Sequence, residues 1–302
     1  MDYTIPPAGE TKTIRTPDGR DLAYVEFGKH DAPLVIHHHG GPSSRLEGRL
    51  LASAATGNGL RLLSVDRPGN GRSSPQKDRT YEGWADDLLT IADALEYQQF
   101  GVSAWSEGGP WALAAAAYID PGRLRHVAYL AGAAYGAFGD NSAAKYLNKA
   151  DALGGQLAIR HHMTFHLMYD LLQLDAVYFR KSYIKTIQKM ANERDAALFD
   201  NPAIAEAFAD SSAECFAQGS GALVQDAEVI YRKWSFDVTK IERPVHMWQG
   251  TEDHFAPCPV NQEVAERMPG AVWHPIEGED HFMPIPEGPN IFAVAARELS
   301  TA

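Results

Sequence analysis

Ser106 stands in the run Phe100-Gly101-Val102-Ser103-Ala104-Trp105-Ser106-Glu107-Gly108-Gly109-Pro110, where a strand-like stretch gives way at once to a helical one. A sharp strand-to-helix turn strains the backbone of its serine and tolerates only small residues two places either side, here Ala104 and Gly108. Such a hydroxyl becomes a nucleophile when an imidazole takes its proton and a carboxylate holds the imidazole in the right tautomer. The candidate base is His281, in Glu277-Gly278-Glu279-Asp280-His281-Phe282-Met283. The candidate acid is Asp253, in Gly250-Thr251-Glu252-Asp253-His254-Phe255-Ala256-Pro257. Both loops directly follow strand-like runs, so all three side chains fall at strand ends. Glu252 stays open as the acid. Ser103 reads as lying within the strand, and His254 adjoins the acid and points poorly for the base.

A developing oxyanion needs hydrogen-bond donors already in place. The backbone N–H of Glu107 and that of Gly41, in His37-His38-His39-Gly40-Gly41-Pro42-Ser43, are the two expected donors. Three adjacent histidines also suggest a metal site. Alternation along a strand, however, sends neighbouring side chains to opposite faces, and no cysteine or acid lies close by to complete a coordination sphere. No metal is expected.

These residues need a scaffold of strand ends, and the chain supplies one. Lys12 to Thr16 and Asp21 to Phe27 flank the turn Pro17-Asp18-Gly19. Strand-like runs follow at Pro33 to His38, Leu60 to Val65, Phe100 to Trp105, Val127 to Leu130, Val245 to Trp248 and Ala271 to Pro275. Helical spacing marks Leu46 to Thr56, Tyr81 to Tyr97, Pro110 to Tyr118, Val260 to Met268 and Ile291 to Leu299. Such alternation predicts an α/β fold with a mostly parallel sheet between helices. Residues 136–236 break the rhythm and read as helical, too long for one structureless loop. The expected organisation is a core of residues 1–135 and 237–302 with a helical cap of 136–236.

Composition narrows the function classes. Among 302 residues, 27 Lys and Arg face 39 Asp and Glu, a net charge of −12 with no dense basic run, which argues against nucleic acid as a partner. Apolar stretches fall short of the roughly 20 residues a membrane span needs, and Met1 to Glu10 lack a signal-like pattern, so a cytoplasmic location is expected. Cys215 and Cys258 read as two buried thiols, with one disulfide between them left open. Oligomeric state is not legible.

Taken together, these motifs resemble the α/β-hydrolase superfamily, in the branch with a helical cap inserted after the sixth core strand. His39-Gly40-Gly41-Pro42 resembles its oxyanion loop, and Trp105-Ser106-Glu107-Gly108-Gly109 its nucleophile elbow, with Ala104 where glycine is usual. Asp66-Arg67-Pro68-Gly69-Asn70-Gly71-Arg72-Ser73 looks like its pocket-shaping loop after the fourth strand. The resemblance implies a cofactor-free serine hydrolase with a cap-roofed pocket for a small-molecule substrate. Carboxylic-ester cleavage leads. Amide or peptide cleavage of the prolyl aminopeptidase kind, carbon–carbon hydrolysis and a non-catalytic binding role stay open. Met163, Phe165, Leu167, Met168, Tyr169, Leu172 and Phe179 suggest an apolar roof, though most could simply pack helix against sheet. Amide cleavage would call for a carboxylate to hold an amine, with Glu107, Asp170, Asp175, Glu206 and Glu214 as candidates.

Overall fold

The computed structural model describes residues 3–300, so the expected core range reaches two residues beyond it at each end. Eight strands form one sheet: β1 (Lys12–Arg15), β2 (Asp21–Phe27), β3 (Leu34–His38), β4 (Arg61–Val65), β5 (Phe100–Trp105), β6 (Leu124–Leu130), β7 (Val245–Gly250) and β8 (Ala271–Ile276). Their order is β1-β2-β4-β3-β5-β6-β7-β8; β2 pairs antiparallel with β1 and β4, and every later pairing is parallel. Each residue of β3, β4, β5 and β7 is buried, the pattern of strands covered on both faces.

Two helical layers provide that cover. Helices α1 (Gly48–Gly57) and α11 (Gly288–Ser300) bring Leu51, Phe292 and Ala295 against Val35 and Leu62. The other face takes α2 (Tyr81–Ala94), α3 (Gly109–Tyr118) and α10 (Cys258–Arg267), whose Trp84, Leu88, Trp111 and Val264 pack on Ile36, Val102 and Met247. Several boundaries differ from the expected ones, and two of the differences have a clear local cause. Helix α2 stops at Ala94 because Glu96 adopts a left-handed φ of 61°, and the Tyr97 N–H turns back to the Ala92 carbonyl. Strand β6 begins at Leu124 because that residue still pairs with Phe100, ahead of a bulge.

Between β6 and β7 lie six helices: α4 (Lys149–Arg160), α5 (His162–Tyr178), α6 (Arg180–Met190), α7 (Glu193–Leu198), α8 (Pro202–Cys215) and α9 (Gly221–Tyr231). Asn148, Asn192 and Asn201 cap α4, α7 and α8 by accepting backbone N–H groups of the first turn. Polar ties fasten this cap to the core along α7, α8 and α9. Asp195 accepts the Phe282 N–H, Asp210 pairs with Arg49, and Ser211 bonds Ser43 and Ser44. Asp226, fully buried on α9, pairs with Arg67 and Arg79 and accepts from Asn70. The polar bonds of α5 and α6 instead run to other cap helices, with His162 on Glu228 and Arg180 on Asp210. Cys215 and Cys258 are both free thiols; Cys215 is buried as expected, whereas Cys258, at the start of α10, is only partly so. Among the described residues, no helix is long and apolar enough to cross a membrane.

Candidate active site

Strand β5 delivers Ser106 at its C-terminal end, and Ser106 takes a left-handed φ of 54° before the chain turns into α3. For a residue with a Cβ that conformation costs roughly 1–2 kcal/mol, and it holds the hydroxyl at the rim of the sheet. The reason for a small residue at 108 is now spatial. A Cβ there would stand 2.4 Å from the His38 carbonyl oxygen and 2.8 Å from that of His39. Both are backbone atoms, so neither can swing aside. Gly108→Ala is expected to cost about 1–3 kcal/mol by overpacking. It should also lower kcat by at least about tenfold through a displaced elbow; chemical denaturation and steady-state rates check the pair.

The acid and the imidazole meet because two loops approach closely. Gly250 ends β7 where a Cβ would lie 2.4 Å from the carbonyl oxygens of Glu279 and Asp280. Asp280, fully buried, accepts the N–H groups of His254 and His281 at 2.8 Å each and clamps the two loops together. His281 then places Nδ1 3.0 and 3.1 Å from the two carboxylate oxygens of Asp253. Asp253 is itself fixed by the N–H groups of Phe255 and Ala256 and by the Gln249 side-chain amide. Burial pulls the His281 pKa down, but the Asp253 charge and hydrogen bond outweigh it and leave it above its ordinary value. With Nδ1 held by Asp253, Nε2 is the ring nitrogen left for a serine proton.

The rival residues are occupied elsewhere. Ser103 is buried within β5 and bonds His37. Glu252 accepts from Asn192, and His254 bonds Asp280. The histidine run divides as strand alternation demands. His37 meets Ser103 and Glu47, while His38 packs edge-on against Trp84 on the α2 side. His39 bonds the Gly40 carbonyl and takes the Arg67 N–H. Burial holds His38 and His39 well below the ordinary histidine pKa. The expectation that no acid lies near this run is corrected, because Glu47 arrives from the turn before α1 to bond His37 Nε2 at 2.9 Å.

Above Ser106 passes the Gly40-Gly41 segment. A Cβ on Gly40 would come within 3.1 Å of the Ser106 Cβ. Its N–H is spent on Glu47 at 3.0 Å, while the next residue, Gly41, lines the cavity. Arg67 steadies the loop by donating to the His39 and Gly40 carbonyls while paired to Asp226. Pro42, after a cis bond, carries the chain onward, and Trp105 donates its indole N–H to the His281 carbonyl at 3.0 Å. Gly109 lies against Tyr129, where a Cβ would fall 2.6 Å from the ring. Sequence reasoning missed Glu47, Asp195, Asp226 and Asp280, because the long-range partners that matter lie 10 to 159 residues away and no local pattern marks them.

One cavity of about 410 Å³ gathers Gly41, Ser106, Glu107 and His281 beneath the cap. Its roof differs from the expected one. Tyr169 and Leu172 line it, but Phe165 is buried inside the cap, and Met163, Leu167, Met168 and Phe179 are exposed, Met163 to 85%. Helical periodicity alone does not tell the inner face of a cap from the outer. The roof is completed instead by Tyr183, Ile187, Met190, Phe208 and Tyr231. Of the carboxylates considered as amine holders, Glu107 and Asp175 line the cavity. Asp170 bonds Ser220, Glu214 pairs with Arg45 and Arg72, and Glu206 is exposed.

This chain is similar to several known proteins. A proline iminopeptidase from Lacticaseibacillus rhamnosus is 24% identical over 267 residues, covering 83% of this chain and 84% of that protein. A bifunctional esterase/perhydrolase from Acinetobacter calcoaceticus is 32% identical over 97 residues, which span 32% of this chain but only 35% of that protein. Among solved structures, an esterase from Exiguobacterium antarcticum superposes with a TM-score of 0.69 at 17% identity, over 96% of this chain and 100% of that one. Residues 33–287 match the family model described as alpha/beta hydrolase fold. That match runs from β3 through the elbow, the cap and both companion loops, and the chain belongs to the alpha/beta hydrolase fold family.

Proposed function

We propose that this protein is a serine hydrolase that cleaves carboxylic esters of small to medium, largely apolar molecules through an acyl-enzyme. The observation that carries the reading is the convergence, in one roofed cavity, of Ser106 on its left-handed turn and His281 held by Asp253. Ser106 Oγ attacks the ester carbonyl as His281 Nε2 takes its proton, and the N–H groups of Gly41 and Glu107 receive the charge on oxygen. The alcohol leaves with the proton from His281. Water then gives a proton to His281 as it attacks the acyl-enzyme, and His281 returns that proton to Ser106 Oγ as the acid is released. The relatives named as an esterase/perhydrolase and as a proline iminopeptidase support a reading in which an acyl group is hydrolysed. Covalent labelling by a serine-directed fluorophosphonate, lost in Ser106→Ala, is the expected result. An unlabelled, folded wild-type protein would defeat the reading and favour a binding role.

The pH dependence has a definite sign. The base works only when neutral, so activity falls as pH drops through the His281 pKa. Because that pKa is raised, the acid limb of kcat/KM for a neutral ester should lie above pH 6.5, the ordinary histidine value. A pH–rate profile reads it directly, and a limb centred below 6.5 would contradict the Asp253–His281 pairing.

A further inference from the structure

The cavity is one-sided in charge. Glu47, Glu107, Asp151 and Asp175 line it, and among the described lining residues there is no lysine or arginine. Two of these acids already have partners. Glu47 is bonded to His37 and to the Gly40 N–H, and Asp151 accepts from Asn148. Glu107 is different. Its Oε2 is buried without a hydrogen-bond partner, and burial pushes its pKa up to about 7. Arg67 is near enough to oppose that rise, but its guanidinium is committed to Asp226 and to the carbonyls of His39 and Gly40.

The place of this carboxyl matters as much as its lack of a partner. Glu107 follows Ser106 directly, and a Cβ on Gly41 would fall 2.0 Å from Glu107 Oε2. The carboxyl therefore lies along the loop expected to bind the oxyanion and belongs to the residue after the nucleophile. A negative charge there opposes the negative charge that grows on the carbonyl oxygen. A cation bound on the carboxylate removes that opposition and supplies attraction in its place. The stacked rings of Tyr135 and Tyr231, 5.0 Å apart, also line the cavity, and aromatic faces attract cations.

We infer that the acyl side of the pocket takes a protonated amine next to the scissile carbonyl, held by the Glu107 carboxylate, so that esters and amides of 2-amino acids are preferred over their amine-free counterparts. This rests on the serine-hydrolase reading and adds to it the charge of the acyl group. Glu107 is then a specificity-determining residue through its side chain, apart from what its backbone N–H does.

The test compares the 2-naphthyl esters of alanine and of propionic acid, which differ only by the amine. In the wild-type protein, kcat/KM should favour the alanine ester by at least about tenfold. Glu107→Gln should bring that ratio close to one, mainly through a higher KM for the alanine ester, and Glu107→Asp should restore part of it. The ratio is the readout because substitution beside the nucleophile can alter both rates together. A wild-type ratio at or below one, or a ratio unchanged in Glu107→Gln, overturns the inference. If Glu107→Gln does not fold, competition in the wild-type protein decides: alaninamide inhibiting better than propionamide supports the inference, and equal inhibition overturns it. Cleavage of the propionate ester without preference leaves the hydrolase reading standing, whereas cleavage of neither ester by folded protein defeats both.

Discussion

Ser106→Ala should lower kcat/KM toward any ester substrate by at least about 10⁴-fold while leaving the fold in place. Alanine keeps the Cβ, and with it the strain of φ 54°, so its unfolding free energy should stay within about 0.5 kcal/mol of the wild type. Ser106→Gly separates the two effects. It is equally inactive, but it relieves a left-handed conformation worth roughly 1–2 kcal/mol and gives back about 0.5–1 kcal/mol in chain entropy. The net expectation is a dead protein more stable by up to about 1.5 kcal/mol, a small case of stability lost for function. Ester assays on both variants, with urea denaturation beside them, test this. Residual activity in Ser106→Ala above a hundredth of wild type would remove Ser106 from the chemistry.

The second large effect belongs to stability. Asp226→Ala leaves Arg67 and Arg79 facing each other's charge with their shared carboxylate gone, and both guanidiniums are buried. Removing one partner from a buried ionic group costs about 3–5 kcal/mol. For a chain of this length that corresponds to a Tm lower by about 5–8 °C. Activity should fall as well, because Arg67 also steadies the His39 and Gly40 carbonyls above Ser106. Thermal unfolding read by circular dichroism checks the first expectation and ester turnover below the transition the second. A variant as stable as wild type would mean that water or another acid takes over the two arginines.

How much of this was legible beforehand divides along physical lines. The strands of the core could be read because burial on both faces writes continuous apolar runs, as in Leu34-Val35-Ile36. The elbow could be read because steric crowding leaves a local trace, Ala104 and Gly108 about Ser106. The inner lining of the cap could not. Helix α5 carries apolar residues around much of its circumference, and which of them faces the cavity depends on how α6 and α8 pack against it, a matter of tertiary geometry. The buried acids were hidden for a related reason. Asp226 and Asp280 have sequence neighbours like those of any solvated acid, and only the folded chain brings their partners to them.

The cap is fastened unevenly. Rivets along α7, α8 and α9 pin three sides to the floor, whereas the α5–α6 hairpin, which contributes Tyr169, Leu172, Tyr183 and Ile187 to the lining, is tied chiefly to its fellow helices. The pocket wall supplied by that hairpin and the elbow beneath it are therefore held by separate sets of bonds, so the shape of the roof can change by substitution without touching the floor.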